Sequence, residues 1–297
     1  MSSYSKPFQY FVDKPLTITT RLFGSKSQAV TQVGLGGEGV LRTYGRTPEA
    51  FAVIEEAAVQ EIGYFDSAKA YAGSESYYGT FWRKHLDLRP KIFQTSKSAS
   101  RNKTGAMADL KHSLATMGID HLDLWQIHDI RTVEDIEEVE GPGGALEAFI
   151  EAKDIGLTKF IGVTGHHDPR ILERAVKSWP VDTVLMPVNP VEAILGGFLD
   201  SVIARAEDRG IAIIGMKVLG ASHCIRRDAG ITPDLLIRFA LSQRITTAIV
   251  GCSSPKEVQA LAKAGKDFEP MPQGEQNKLM ELFRPYARRL AFYRGVI

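Results

Sequence analysis

Cysteine is nearly absent from these 297 residues. The two present, Cys224 and Cys252, form neither a CxxC pair nor a zinc-ligand spacing. That excludes a disulfide framework and suits a reducing compartment, so a cytoplasmic protein is expected. Long apolar runs are also missing. None approaches 18 residues, which excludes a membrane-spanning helix, and the opening MSSYSKPFQYFVDK lacks the apolar core of a secretory signal. Neither sign of charge dominates: 36 Lys+Arg against 35 Asp+Glu leave +1. A nucleic-acid partner would need a basic footprint and a membrane surface a polybasic segment, and neither is here. No Pro/Ser/Gly tract or charge block divides the chain. One domain is expected over 1–297, with an N-terminal segment and hairpin in 1–28 and an extension in 266–297.

What is present is alternation. Eight short apolar runs (AVTQVGLG, GYFDSA, KIFQTS, LDLWQIH, KFIGVTG, DTVLMPV, IAIIGMK and TTAIVGC) are separated by segments with helical spacing. Most runs are apolar throughout, as parallel strands buried on both faces should be. Thr47-Pro48 reads as the cap and first residue of a helix whose face is Phe51, Ile54, Ala58 and Ile62. MADLKHSLATMG, ALEAFIEAKDIG, ILERAVKSW, FLDSVIARAEDRG and DLLIRFALSQ read as further helices, and Ser254 with Glu257 as a capping box. Eight strand–helix units with right-handed crossovers predict an α/β fold, a closed (β/α)8 TIM barrel. ITTRLFGSKSQAVTQV predicts a β-hairpin ahead of the first barrel strand.

Such barrels carry their chemistry at the C-terminal ends of the strands. Gly34, Gly36 and Gly39 spell G-x-G-x-x-G there, the dinucleotide fingerprint of doubly wound folds. That fingerprint must open a helix, whose N-terminus holds the pyrophosphate. The next helix here begins only at Thr47-Pro48, so the glycines read instead as close backbone packing. Four polar residues stand at successive strand ends: Asp66, Tyr71 just beyond it, Lys97 and His128. A free Tyr, with a pKa of about 10, is a poor acid near neutrality. An adjacent ammonium favours the phenolate, a carboxylate holds the ammonium, and a His can orient a substrate oxygen. The set makes a proton donor for an oxygen that becomes an alkoxide.

GYFDSAKAYAGSESYYG, IFQTSK and HLDLWQIH, each carrying one or two of those residues, resemble the signature segments of the aldo-keto reductases. The resemblance runs from RLFGSKSQAVTQVGLGG through AIVGCSSPKEV. It implies the same barrel, a catalytic tetrad of Asp66, Tyr71, Lys97 and His128, and reversible hydride transfer between a nicotinamide cofactor and a carbonyl or alcohol substrate. NADP(H) is the favoured cofactor, with NAD(H) left open. The cofactor contacts implied are Gly36, Gly37, Thr164, Asn189, Met216, Lys217, Leu219, Gly220, Cys252, Ser253, Ser254 and Glu257.

The cofactor side departs from the family pattern. Thr164-Gly165 replaces a frequent Ser-Asn, Met186 stands for a usual Gln with Asn189 as its substitute, and Met216 stands for a stacking aromatic. Glu257 occupies a position often held by an Arg that binds the 2′-phosphate, which leaves that group to Lys256, Arg226 or Arg227. Two further readings belong to other classes: a cofactor-binding regulatory subunit, and a metal-dependent hydrolase using His166, His167, His128 and His223. No metal is expected. Glu38, Arg42, Tyr44, Trp125 and the segment RPYARRLAFYR are expected to set substrate choice, the last by covering the barrel mouth or by pairing with another subunit. The oligomeric state is left open.

Overall fold

The computed structural model describes residues 17–295. Residues 1–16, and with them the opening MSSYSKPFQYFVDK, lie outside that range. Strands β1 (Thr20–Leu22) and β2 (Ala29–Thr31) form the antiparallel hairpin, with Thr20 opposite Thr31. Gly24 turns it at φ +61, and a Cβ there would lie 2.4 Å from the Gly210 carbonyl, so only glycine fits. The run AVTQVGLG is therefore shared between two sheets. The break falls at Gln32, whose side chain donates to the Gly265 carbonyl at 2.8 Å.

The barrel closes from eight parallel strands: β3 (Val33–Gly39), β4 (Tyr64–Phe65), β5 (Phe93–Ser98), β6 (Leu122–Ile127), β7 (Thr158–Thr164), β8 (Thr183–Pro187), β9 (Ala212–Met216) and β10 (Thr247–Cys252). β10 pairs back onto β3, which leaves the barrel sheet without an edge. The hairpin plugs the bottom. Phe23 packs on Phe93 and Phe160 at 4.9 and 5.1 Å, and Arg21 donates to the Ile245 and Leu241 carbonyls.

Helices α1 (Thr47–Val59), α2 (Ser74–Lys84), α3 (Lys103–Met117), α4 (Val133–Glu140), α5 (Ala145–Asp154), α6 (Pro169–Ser178), α7 (Pro190–Leu195), α8 (Ile203–Asp208), α9 (Pro233–Leu241) and α10 (Pro255–Lys266) occupy the crossovers and follow β10. α1 is capped by Arg46, so Thr47 and Pro48 are its first two residues rather than cap and first. α11 (Gln273–Phe283) and α12 (Ala287–Leu290) follow and pack on α7.

The core has two shells. Leu124, Phe160, Leu185, Ile214 and Met216 point into the barrel, whereas Trp125, Met186 and Cys252 point out toward the helices. Trp125 stacks on Phe149 with ring centroids 3.6 Å apart. It is thus a core residue and not a substrate-loop one, and Trp125→Ala would cost about 3–5 kcal/mol. Met186 is turned away from the mouth in the same way, so it does not stand in for a cofactor-binding Gln.

Candidate active site

The Asp66 amide extends the β3–β4 pairing by donating to the Leu35 carbonyl, and this fixes the residue at the strand end. The loop that follows is held internally. Tyr71 donates its amide to Ala68, Ser74 to Tyr71, Gly73 to the Thr43 carbonyl, and the Ser67 and Ser74 hydroxyls meet at 2.8 Å. Lys97, inward on β5, places its ammonium 2.7 Å from both Asp66 carboxylate oxygens and 2.7 Å from the Ser67 carbonyl. All three of its donors are engaged. Thr95 adds a hydroxyl to Asp66 at 2.9 Å.

The Tyr71 ring lies beside this pair, with the Lys97 ammonium 4.7 Å from its centroid and the His128 ring edge-on at 5.4 Å. Gly37 makes room for it, since a Cβ there would lie 2.6 Å from the ring. The structure therefore brings the four expected residues together. It also adds Arg42, whose guanidinium lies 4.9 Å from the Tyr71 ring centroid.

The electrostatics differ from the sequence expectation in one respect. Burial pushes the Tyr71 phenol well above its ordinary pKa, with Asp66 and Glu38 adding to the shift and Arg42 opposing it. The Lys97 ammonium favours the phenolate but does not overcome this, because Asp66, held at two contacts, offsets much of its charge. Lys97 is itself lowered by burial, against the pull of Asp66. His128 is held at about 3 by burial and by Lys97, so its imidazole is neutral at physiological pH. A neutral phenol and a neutral imidazole are both hydrogen-bond donors.

The expected cofactor contacts divide. Thr164 is at the mouth, its hydroxyl accepting from the Asp129 amide at 2.8 Å. Met216 faces the barrel interior. Lys217, in left-handed backbone at φ +51, has no carboxylate partner among the described residues and is lowered mainly by burial. An unpaired cation on the rim suits a diphosphate. Leu219 and Gly220 follow in a tight turn, the Gly220 amide donating to the Lys217 carbonyl.

Other contacts are engaged elsewhere. Gly36 lacks a Cβ because β10 passes 2.9 Å from where it would be, and Gly39 because the Cys252 carbonyl lies at 2.4 Å, so these glycines serve strand packing. Cys252 is buried, its thiol turned from the mouth and pushed up to about 12 by burial. Ser254 caps α10, accepting from the Glu257 amide at 3.4 Å, while the Glu257 carboxylate takes the Ser253 amide at 2.7 Å. The box thus closes one residue earlier than the usual pattern. Arg226 pairs with Asp228.

Asn189 is not free to replace a cofactor-binding amide. Its carbonyl oxygen caps α7 at the Val191 and Glu192 amides, and its NH2 group donates to the Lys217 carbonyl and the Tyr293 hydroxyl, both at 3.0 Å. The C-terminal segment explains this. Tyr293 donates to Glu192 at 2.6 Å, Arg294 pairs with Glu192 and donates to the Gly196 carbonyl, and the Gly295 amide reaches the His167 carbonyl. RPYARRLAFYR therefore does reach the mouth, over the ends of β7, β8 and β9. Its basic and aromatic composition was the only sequence signal, and the buried partner Glu192 gave none. The histidines are dispersed: His166 faces Asp129, His223 packs on Phe292, and His167 lies under Gly295. Among the described residues no three His, Cys, Asp or Glu side chains are grouped to hold a metal.

Known proteins agree with this architecture. An aldo-keto reductase structure from Klebsiella pneumoniae in complex with NADP and acetate superposes with a TM-score of 0.72 at 20% identity, covering 90% of this chain and 96% of that one. One from Bacillus halodurans in its holo form gives 0.71 at 18%, covering 94% and 98%. Among curated relatives, the NAD(P)H-dependent 6′-deoxychalcone synthase of Glycine max is 32% identical over 70% of each chain. The aldo-keto reductase yakc [NADP(+)] of Schizosaccharomyces pombe is 26% identical over 69% of this chain, and the match spans only 62% of the length of that relative. The family model "Aldo/keto reductase family" matches residues 32–231, from the start of the barrel through the turn after β9. This chain belongs to the aldo/keto reductase family.

Proposed function

We propose that this chain is an NAD(P)(H)-dependent oxidoreductase that interconverts an aldehyde or ketone and its alcohol, with NADP(H) as the first cofactor and NAD(H) as the second. The observation that carries this reading is the buried Asp66–Lys97 pair beneath a still-protonated Tyr71, with a neutral His128 at its edge. NADP in the Klebsiella structure and in the name of the yeast relative supports the cofactor, as does the unpaired Lys217 on the rim. A bound nicotinamide supplies the hydride in reduction and accepts it in oxidation.

The side chains do the rest. His128 donates to the carbonyl oxygen and orients it. As the carbon gains hydride and the oxygen gains charge, the Tyr71 O–H gives its proton to that oxygen. The phenolate left behind is stabilised by the Lys97 ammonium, whose position Asp66 fixes. Oxidation runs the same transfers backward. Lys217, Thr164 and the Leu219–Gly220 turn would hold the cofactor. We place the protein in the cytoplasm, on its two unpaired buried cysteines, and treat 1–297 as one domain.

Tyr71→Phe tests the reading. Cofactor affinity should be kept, while turnover of a small aldehyde falls by at least about 10²–10⁴-fold, the range for losing a general acid. Retained turnover would overturn the assignment.

A further inference from the structure

Among the described cations around the mouth, Arg42 combines closeness to Tyr71 with a replaceable partner. Lys97 is sealed beneath the ring with three protein acceptors. Arg101 gives its guanidinium to Asp135 and to the His128 and Asp129 carbonyls, and Arg131 gives its own to Asp129. Arg42 lies over Tyr71, yet its side chain is 48% exposed, and a single N–H is engaged, by Glu38. None of its other N–H groups meets a protein acceptor among the described residues. Glu38 is more exposed still, at 57%.

The local structure fixes the root of this pair and leaves its tip free. The Glu38 Cβ sits against Gly251, where an added Cβ would approach to 2.6 Å, and Gly39 is held at φ +73 against β10. Arg42 ends the short turn Val40–Arg42, whose other two residues are buried. The backbone cannot follow the side chains, but both tips can exchange partners in water. An exposed i,i+4 pair of this kind contributes little net free energy, so a competing anion can displace Glu38. Guanidinium geometry then favours a carboxylate held by two parallel hydrogen bonds. The charges of both residues are felt at Tyr71, Lys97 and Lys217, so the pair faces the reacting group rather than bulk solvent.

We propose that Arg42 selects substrate: it receives a carboxylate carried by the carbonyl compound, in place of Glu38, so that oxo acids and carboxy-aldehydes are preferred over neutral carbonyls. This rests on the oxidoreductase reading above.

The test compares 4-carboxybenzaldehyde with its methyl ester, and both with an aldehyde bearing an ammonium group, using the full chain and NADPH. Ratios of kcat/KM cancel any effect of Arg42 on Tyr71 that all substrates share. The acid should lead the ester by about tenfold or more in the wild type. Arg42→Gln should bring the ratio close to one, and Glu38→Gln should raise it. A wild-type ratio of one or below, a preference for the ammonium aldehyde, or an unchanged ratio in Arg42→Gln would overturn the proposal while leaving the oxidoreductase reading intact. Failure of the wild type to turn over any of the three would overturn that reading, and the selection proposal with it. A calorimetric titration gives an answer without turnover: benzoate should bind more tightly than benzamide, and Arg42→Gln should abolish the difference. Equal binding of the two by the wild type would also overturn the proposal.

Discussion

Two buried ion pairs lie at the mouth of the barrel, and they serve different ends. Lys97 and Asp66 stand on adjacent strand ends, 31 residues apart, with side chains 0% and 1% exposed. Arg294 and Glu192 are 102 residues apart, nearly as deeply buried, and join the last described turn of chain to the start of α7. The first pair is positioned by strands that also make the core, and a reacting aromatic ring covers it. The second is positioned by a terminal segment that packs through Phe283, Ala287 and Ala291 into a separate cluster outside the barrel, with Val191, Cys224 and Leu236. A buried pair is weak evidence for stability in itself, because desolvation offsets most of the attraction. What matters is what each pair holds in place: Tyr71 in one case, the C-terminal strap in the other.

Breaking the first pair should have the largest effect. Lys97→Met leaves Asp66 buried without its cation, at a cost of about 3–5 kcal/mol, and removes the charge that stabilises the phenolate. Both the urea midpoint and turnover should fall. Adding Asp66→Asn should recover much of the stability and none of the turnover. Recovery of both together would show that the pair is only structural.

Arg294→Met should do less. Burial already raises Glu192 from its ordinary value, so it can shed its charge once its partner is gone. A loss of about 1–3 kcal/mol is expected, concentrated in the strap. Limited proteolysis should then cut within residues 284–295 while the barrel stays intact, and Glu192→Gln in the same chain should restore much of the resistance. Cleavage within the barrel would show that the strap and barrel unfold as one unit.

The histidines extend the comparison to pH. His128 and His166 titrate at about 3 and about 4 in the folded chain, both lowered chiefly by burial, against about 6.5 when unfolded. Between those limits the unfolded chain binds more protons, so stability rises with pH. Their contribution is complete above pH 6.5 and is lost as pH falls toward 3–4. Urea midpoints measured from pH 7 to 4.5 should decline, and His166→Asn should flatten part of the slope. A slope unchanged by that substitution would mean His166 is not held neutral.

Much of this organisation was legible in the sequence, and the gaps have a common cause. Strand order and the tetrad follow from apolar runs that end in polar residues. Which way a side chain points within a run does not follow, because a strand buried on both faces has no alternation to read. Nothing in their runs therefore marks Trp125 and Met186 as facing the helices. Asn189 departs from expectation for another reason: its partner Tyr293 lies 104 residues away, and no local pattern announces so distant a contact. The phenol of Tyr71 shows the same limit in electrostatics. The spacing of Lys97 predicts a depressed pKa, but the burial of the phenol and the bidentate grip of Asp66 that offsets much of the ammonium charge are matters of three-dimensional placement.

Glu257 gives the smallest effect and the finest discrimination. Its carboxylate is exposed and caps α10 through the Ser253 amide, so any repulsion of a 2′-phosphate is screened by water and salt. Glu257→Gln keeps an acceptor oxygen for the cap while removing the charge. An exposed charge contributes up to about 1 kcal/mol, so NADPH should gain on NADH by roughly two- to fivefold at most, with the helix undisturbed. Parallel fluorescence titrations at low salt would show it, and the gain should shrink at high salt. A ratio that does not move would place the phosphate-bearing end of the cofactor away from the start of α10 and turn attention to Arg227.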